Sequence, residues 1–362
     1  MASKIKTVRT DSGLVLIGDI GGTKTDLAVV SLAEGVRTHL ARRRYHSADY
    51  SDLETIVRDF LGVIGLPIHH ACFDVAGPVI EGRARLTNLP WAVDASALRV
   101  ALALQVVWVL NDLSAIAHAV PLLKDTDLAT LNPGVPAPHG AMAVIAPGTG
   151  LGEAFLVFNG SGYSDYPSEG GHADFAPPTP ALTNLLRYLQ ARFDHVSYEI
   201  VCSGIGIPHL YEFFRDTGVP ESEDFASELA ASEDPTHLIL DSGLGHATAS
   251  ALCEASLDAF VTILGAEASN LALKVFAAGG VFLAGGIPRH ILPALTDGRF
   301  MATFRRKGRF SGLLDTIPVH VVTNADVALL GTARFAFDAL LARDAAGKRG
   351  AALQRSRRRP QG

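Results

Sequence analysis

The 362-residue sequence contains only three cysteines, Cys72, Cys202 and Cys253. Their odd number and wide spacing exclude a disulfide framework and a cysteine-based zinc cluster, and they favour a reducing compartment. No run of about eighteen uninterrupted apolar residues occurs, so no membrane-spanning helix is predicted. The basic N-terminus has no apolar segment before Leu14, which is unlike a secretory signal. We therefore expect a soluble, cytoplasmic protein with no membrane partner.

Neither sign of charge dominates the chain. The formal net charge is −6, so most of the sequence lacks the basic surface that nucleic-acid binding requires. The exception is the end, RSRRRPQG, which we interpret as a solvated basic tail. Hydrophobic residues make up 48% of the chain, which is enough for sizeable cores. The length predicts about two domains.

Glycine-punctuated strands alternate with helical patterns, which predicts an α/β architecture. An amphipathic pattern over Asp52–Gly62 predicts a helix with Ser51 as its N-cap. Residues 124–140 contain three prolines and predict a surface loop near a domain boundary. A final helix is predicted over Ala325–Leu341.

A glycine turn, GDIGGT at residues 18–23, lies between the apolar runs Leu14–Ile17 and Leu27–Val30. Glycines allow a tight turn whose N–H groups approach a ligand closely, and such groups favour an anion. Asp19 could hold a hydrated cation beside it. The turn therefore predicts phosphate and Mg²⁺, with an ordinary glycine turn as the alternative. Neither the dinucleotide-binding nor the Walker A spacing fits these glycines.

A second strand, glycine turn and strand begin at Ala141, in AMAVIAPGTGLGEAFLVFNG. The repetition suggests that one fold unit is duplicated. Two such turns can present N–H groups to two sides of one ligand.

Further motifs follow in a fixed order along the chain: AGPV, TNLPW, LNDLSAIA, APGTGLG, SEGGHADFAP, EIVCSGIG, LAGGI and KGRF. With GDIGGT, they make the sequence resemble the bacterial glucokinases of the hexokinase–actin–Hsp70 superfamily over about residues 14–340. A related branch of that superfamily carries a C-x-C-G-x-x-G-C-x-E zinc motif, which is missing here. The resemblance is therefore to the zinc-free glucokinase group.

This resemblance implies a two-domain actin-like ATPase (ribonuclease H-like) fold with a cleft for sugar and ATP between the domains. The small α/β domain would comprise 14–122 plus 323–345, and the large one 123–322. Residues 1–13 and 346–362 would be flexible tails. Domain closure over glucose would exclude water from the reaction. The resemblance also implies a homodimer.

Asp112 is the candidate general base, since it follows the apolar strand VVWVL and matches the family's catalytic aspartate. From the residues alone, it could equally be the N-cap of the helix that follows. Asn111 could bond sugar hydroxyls through its amide or could be a turn residue. In EGGH, Glu169 and His172 could both bend toward one ligand, and a metal site is the alternative, although no third and fourth ligands are suitably spaced.

The family's sugar-contacting positions match polar residues that lie far apart in the sequence. The candidate sugar ligands are Asn88, Asn111, Asp112, Glu169, His172 and Glu199.

The resemblance assigns the nucleotide to the glycine turns, with Asp19 binding Mg²⁺ through water. The candidate ATP ligands are Gly18, Asp19, Gly21, Gly22, Thr23, Gly148, Thr149, Gly150, Gly285 and Gly286.

The sequence therefore predicts ATP-dependent phosphorylation of D-glucose to glucose 6-phosphate, the entry step of glycolysis. One alternative is a kinase for another hexose, or one that uses ADP or polyphosphate. Another is a catalytically silent sugar sensor, because fold alone does not establish activity.

Overall fold

The computed structural model describes residues 13–86 and 89–357, and it divides into two compact units. Unit 1 comprises the described residues up to Leu122 together with those from Ala325 onwards, and unit 2 comprises Leu123–Asn324. Asn88, a predicted sugar ligand, lies outside the described residues. In the part of the chain that is described, every helix is too short or too polar to cross a membrane.

The elements are numbered in chain order, and short 3-10 turns lie between some of them. The strands are β1 Leu14–Ile20, β2 Lys24–Ser31, β3 Ala41–His46, β4 His70–Val75, β5 Arg83–Arg85, β6 Ala92–Asp94, β7 Val106–Asn111, β8 Leu128–Asn132, β9 Met142–Pro147, β10 Leu151–Phe158, β11 Tyr163–Ser168, β12 Gly280–Leu283 and β13 Val319–Val322. The helices are α1 Leu53–Ile64, α2 Ala95–Ala101, α3 Asp112–Ala119, α4 Pro180–Gln190, α5 Gly206–Asp216, α6 Glu223–Ala231, α7 Pro235–Gly243, α8 Ala251–Val275, α9 Gly286–His290, α10 Leu292–Thr296, α11 Arg299–Phe304, α12 Ser311–Thr316 and α13 Val327–Arg357.

The main sheet of unit 1 has the strand order β3-β2-β1-β4-β7. β1 pairs antiparallel with β2 and parallel with β4, which in turn pairs parallel with β7. Alternate β1 side chains enter two cores: Leu16 packs with residues of α1, and Ile17 packs with residues of α13. Because both faces are covered, the first four residues of β1, Leu14–Ile17, form an uninterrupted apolar run and not an alternating one.

The main sheet of unit 2 has the order β11-β10-β9-β12-β13-β8. β9 pairs antiparallel with β10 and parallel with β12, as β1 does with β2 and β4. The predicted repetition of a strand–turn–strand unit is confirmed by this topology. The 25-residue helix α8 is buried on most of its surface within the core of unit 2, which explains why its sequence is apolar on all sides.

Three local predictions are wrong: the N-cap of α1, its last residue and the loop over residues 124–140. The N-cap of α1 is Asp52, whose side chain accepts from the Thr55 N–H, and not Ser51. The helix continues past Gly62 to Gly65, which has a left-handed conformation with φ 61°, as is common at helix ends. Residues 124–140 are also not all loop, because β8 forms within them and pairs with β13.

Other helices were not recognised from the sequence. Helices α6 and α7 fill the stretch between α5 and α8, each starting at a capping residue, Ser222 and Asp234 respectively. The final helix reaches Arg357, so residues 346–357 are helical where a tail was predicted. Their alanine, lysine, arginine and glutamine residues have high helix propensity.

Candidate active site

The first glycine turn joins β1 to β2 and is anchored by Ser47. The Gly21 N–H donates to the Lys24 carbonyl at 2.9 Å. Ser47 donates from its hydroxyl to the Gly21 carbonyl at 2.9 Å and from its N–H to the Thr23 carbonyl at 3.0 Å. The N–H groups of Gly22 and Thr23 bond no other described residue. The turn therefore presents fixed, unused donors of the kind that bind phosphate oxygens.

Three carboxyl groups occupy the neighbouring ends of β1, β4 and β7. Asp19 lies opposite Asp74 in the parallel register of β1 and β4, and Asp112 follows β7 directly. Burial, followed by the charge of Asp19, raises the pKa of Asp74 well above its ordinary value. Thr332 donates to Asp74 at 2.5 Å. Burial and the neighbouring acid therefore both disfavour the charged form of Asp74 inside unit 1.

Burial also raises the pKa of Asp19, while a hydrogen bond with Asp74 acts in the opposite direction. A carboxylate that is destabilised by burial gains from a nearby cation. Carboxylate oxygens are the ligands that Mg²⁺ prefers. The carboxylate oxygens of Asp19, at the end of β1, therefore fit a hydrated magnesium ion.

Asp112 is the first residue of α3, and the N-cap is its neighbour Asn111. The side-chain oxygen of Asn111 accepts from the N–H of Leu113 at 3.0 Å, and its amide donates to the Gly77 carbonyl at 2.9 Å. Burial is the main cause that raises the pKa of Asp112 to about 6. Asn111 is thus the N-cap, and Asp112, whose side chain also accepts from the Leu113 N–H at 2.9 Å, is a buried acid with a raised pKa.

The second glycine turn joins β9 to β10 and is fixed by the loop before α5. The Gly148 N–H donates to the Gly150 carbonyl at 2.8 Å, and the Gly204 N–H donates to the Gly148 carbonyl at 2.7 Å. The N–H groups of Thr149 and Gly150 bond no other described residue. Unit 2 therefore carries a second set of unused donors, as the sequence predicted.

Glu199 connects this turn to the predicted sugar ligands of unit 2. Its Oε2 accepts from the Leu151 N–H at 2.9 Å, and its Oε1 lies 4.0 Å from His172 Nε2. Its N–H donates to the Gly171 carbonyl at 2.8 Å, while the His172 N–H donates to the Glu169 carbonyl at 3.0 Å. The structure thus brings Glu169, His172 and Glu199 together beside Gly148–Gly150. These three residues do not form a recognised metal-binding group among the described residues.

The remaining predicted glycines, Gly285, Gly286 and Gly18, have three different environments. Gly285 has φ 90°, and a Cβ there would lie 2.8 Å from the Pro147 carbonyl oxygen, so this glycine lies directly against the second turn. Gly286 starts α9 and faces open space. Gly18, in contrast, is buried within β1, where a Cβ would lie 2.6 Å from Leu27 and 2.8 Å from Phe73. Packing alone accounts for glycine at position 18.

A model of the glucokinase family matches residues 16–339. A glucokinase from Nostoc punctiforme is 40% identical over 333 residues, which is 88% of this chain and 98% of the relative. The chain belongs to the glucokinase family. A glucokinase from Tolumonas auensis is 34% identical, covering 89% of this chain and 96% of its own.

Solved structures agree with this assignment. A glucokinase from an Antarctic psychrotroph has a TM-score of 0.76 and 32% identity, covering 90% of this chain and 99% of its own. The fold is also that of a glucokinase from Balamuthia mandrillaris solved with glucose, with a TM-score of 0.74, 21% identity and coverage of 90% and 93%. The chain therefore has the actin-like ATPase fold of sugar kinases.

Two buried acids beside the predicted family motifs were missed by the sequence analysis. Asp74 is one, and the other is Glu153, which is 1% exposed on β10. Burial, followed by the charge of Glu267, raises the pKa of Glu153 to about 8. Each is a single acid within an otherwise apolar strand, in CFDVAG and LGEAFLVF, and that pattern was the available signal.

A polar network of unit 2 supports the segment that carries Glu199. Asn270 donates to Glu267 at 2.8 Å and to the hydroxyl of Tyr198 at 2.9 Å. Lys307, the first residue of KGRF, donates to Asn270 at 2.5 Å. Lys307 is thus connected through Asn270 to Tyr198, the residue before Glu199.

Proposed function

We propose that this protein transfers the γ-phosphoryl group of ATP to the 6-hydroxyl of D-glucose. The observation that carries the proposal is Asp112, a buried carboxyl group with a pKa of about 6 that directly follows β7. Its place in a chain of the glucokinase family makes glucose the substrate.

Asp112 would accept the proton of the attacking sugar hydroxyl. A general base works best when its pKa is close to the working pH, because it must be ionised and still bind a proton. An exposed aspartate has a pKa near 3.9 and is a weak base. Burial at the end of β7 therefore makes Asp112 a stronger base without leaving it protonated at neutral pH.

The sugar would be bound by groups that both accept and donate hydrogen bonds. Asn111 donates only one of its two amide N–H groups to the backbone, at the Gly77 carbonyl, and Glu199 keeps an oxygen that bonds no backbone group. A site that bonds each hydroxyl leaves groups unpaired when an epimer enters, which favours glucose over its isomers. The proposed sugar ligands are Asn88, Asn111, Asp112, Glu169, His172 and Glu199.

The unused N–H groups of the two glycine turns support a role in binding the phosphates of ATP. Gly285 and Gly286 would allow adenosine to approach the backbone, because neither has a side chain in its way. Asp19 would hold Mg²⁺ through water, and the ion would offset negative charge on the phosphates. The proposed ATP ligands are Asp19, Gly21, Gly22, Thr23, Gly148, Thr149, Gly150, Gly285 and Gly286.

We further propose that the protein acts in the cytoplasm as a homodimer and supplies glucose 6-phosphate to glycolysis. The three thiols are free and buried, which supports a reducing compartment. The dimer rests on the family resemblance, and light scattering of the purified protein would measure it. We expect no nucleic-acid or membrane partner.

The test is formation of glucose 6-phosphate, coupled to NADPH production, from purified protein with ATP, Mg²⁺ and glucose. ADP release would be measured beside it with mannose, fructose, galactose and N-acetylglucosamine, and ADP and polyphosphate would replace ATP as donors. Turnover confined to glucose and ATP is expected. Calorimetric glucose binding without turnover on any donor would overturn the proposal in favour of a sugar sensor.

Asp112→Asn would remove turnover while glucose binding stays measurable. Asp52→Asn is the matched control, because Asp52 also lies at a helix N-terminus of unit 1 but caps α1. It should keep full activity. Substantial turnover by Asp112→Asn would contradict the assignment of Asp112 as the base.

A further inference from the structure

A cluster of two histidines and one aspartate in unit 2 belongs to none of the proposed glucose or ATP contacts. His237 and Asp241 are four residues apart on α7 and therefore share one face of that helix. His290 is the last residue of α9 and meets the same face. Among the described residues, this is the group in which three such ligand atoms lie within 4.8 Å of one another.

The spacing of the three side chains fits coordination of one ion. Asp241 Oδ2 lies 3.2 Å from His237 Nε2, and Asp241 Oδ1 lies 3.0 Å from His290 Nε2. Two ligand atoms bound tetrahedrally at the zinc distances of about 2.0–2.1 Å are separated by about 3.3 Å. The imidazole rings of His237 and His290 are 4.5 Å apart. Small adjustments would bring all three ligand atoms around one centre.

His290 provides a second observation. Its Nε2 is shielded from solvent and forms no aligned hydrogen bond with any described residue, despite its short distance to Asp241. A neutral imidazole has the free lone pair that a metal ligand needs. His237 is 58% exposed, so an ion can enter from solvent.

We propose that His237, Asp241 and His290 bind one divalent transition-metal ion, with Zn²⁺ as the reference ion and water completing the coordination. Two imidazoles and one carboxylate suit zinc and its neighbours, whereas Mg²⁺ prefers oxygen ligands alone. The site is separate from the proposed magnesium ligand, Asp19, which belongs to unit 1. Since α9 begins at Gly286, the ion would tie α7 to the helix that follows the LAGGI glycines.

The test is calorimetric titration of metal-free protein with Zn²⁺ at neutral pH. We expect one site per chain, and the affinity of His237→Gln or His290→Gln should fall at least about tenfold, because loss of a direct ligand exceeds the effect of losing its outer partners. His195→Gln is the matched control: His195 pairs with Asp174 at 2.9 Å but has no second imidazole in a ligand group. The control should bind Zn²⁺ as the unmodified protein does.

Two further readouts separate binding from damage to the fold. Co²⁺ added to the unmodified protein should give the visible bands of four-coordinate cobalt, and these bands should be missing from the double variant of His237 and His290. Zn²⁺ should raise the melting temperature of the unmodified protein, while the two proteins should melt alike in chelator. Equal Zn²⁺ titrations for the unmodified protein and the double variant, or no cobalt bands in the unmodified protein, would overturn the proposal.

Discussion

Replacing Asp112 by asparagine should stabilise the protein at the same time as it removes the base. Burial raises the pKa of Asp112 from 3.8 to about 6. At 1.36 kcal/mol per pKa unit, ionisation of this side chain at pH 8 costs the folded state about 3 kcal/mol relative to the neutral acid. Asparagine resembles the neutral acid. Its side-chain oxygen can still accept the hydrogen bond that the Leu113 N–H donates to Asp112 at 2.9 Å.

The stabilisation by Asp112→Asn should depend on pH. Because the folded pKa lies above the unfolded one, the favourable contribution of the protonated acid is complete below about pH 4 and is lost as the pH rises through about 6. Asp112→Asn should therefore gain up to about 3 kcal/mol at pH 8 and almost nothing at pH 4. For a unit of this size, the gain corresponds to a melting temperature higher by about 5–10 °C.

Chemical denaturation at several pH values would measure the gain, and the coupled kinase assay would measure activity. Asp52→Asn should have the opposite effect on stability, because a hydrogen bond from the Thr55 backbone N–H lowers the pKa of Asp52. Removing that charge should weaken the fold slightly at pH 8. An Asp112→Asn variant that is less stable than the unmodified protein at pH 8 would refute the reasoning that burial determines this pKa.

Three further predictions concern the same chemistry. The value of kcat/KM for glucose should fall about tenfold per pH unit below about pH 6, because Asp112 must be ionised to act; a profile that stays flat to pH 5 would contradict this. Glu199→Gln keeps an acceptor for the Leu151 N–H but loses charge-assisted hydrogen bonds to the sugar. The value of kcat/KM should therefore fall about 10–100-fold, while the free energy of unfolding stays unchanged. Gly150→Ala would drive a Cβ into the Glu199 carboxylate and should raise KM for ATP and glucose, whereas Gly162→Ala, in open space, should leave both unchanged.

Much of the fold could be predicted because both sheets begin with a hairpin around glycines. The runs before and after residues 18–23 are apolar and β-branched, and the same pattern recurs from Ala141, so the two hairpins were recognised from local sequence. β8 could not be recognised in this way. It is an edge strand whose partner, β13, follows nearly 190 residues later, and no local pattern reports such a pairing.

The candidate site, like the fold, could be predicted only in part from the sequence. Asp112 and Glu199 could be proposed as site residues from the sequence, because each follows a readable strand or matches a family motif, and their roles stay predictions. The role of Asn111 could not, since an amide suits a sugar and a helix cap equally well, and only the bond to Leu113 shows which task the oxygen performs. Asp74 was missed because its partners, Asp19 and Thr332, come from distant parts of the chain.

The two units share one strand arrangement but differ in the chemistry at the ends of their strands. In unit 1, β1 and β4 carry Asp19 and Asp74 near their ends, and Asp112 follows β7. In unit 2, β9 ends at Pro147, and Gly285 follows β12. Carboxylates repel phosphate unless a cation or a proton intervenes, whereas backbone N–H groups bind it directly. In the proposed function, the acids of unit 1 would carry the proton and metal chemistry, and the N–H groups of both glycine turns would bind phosphate.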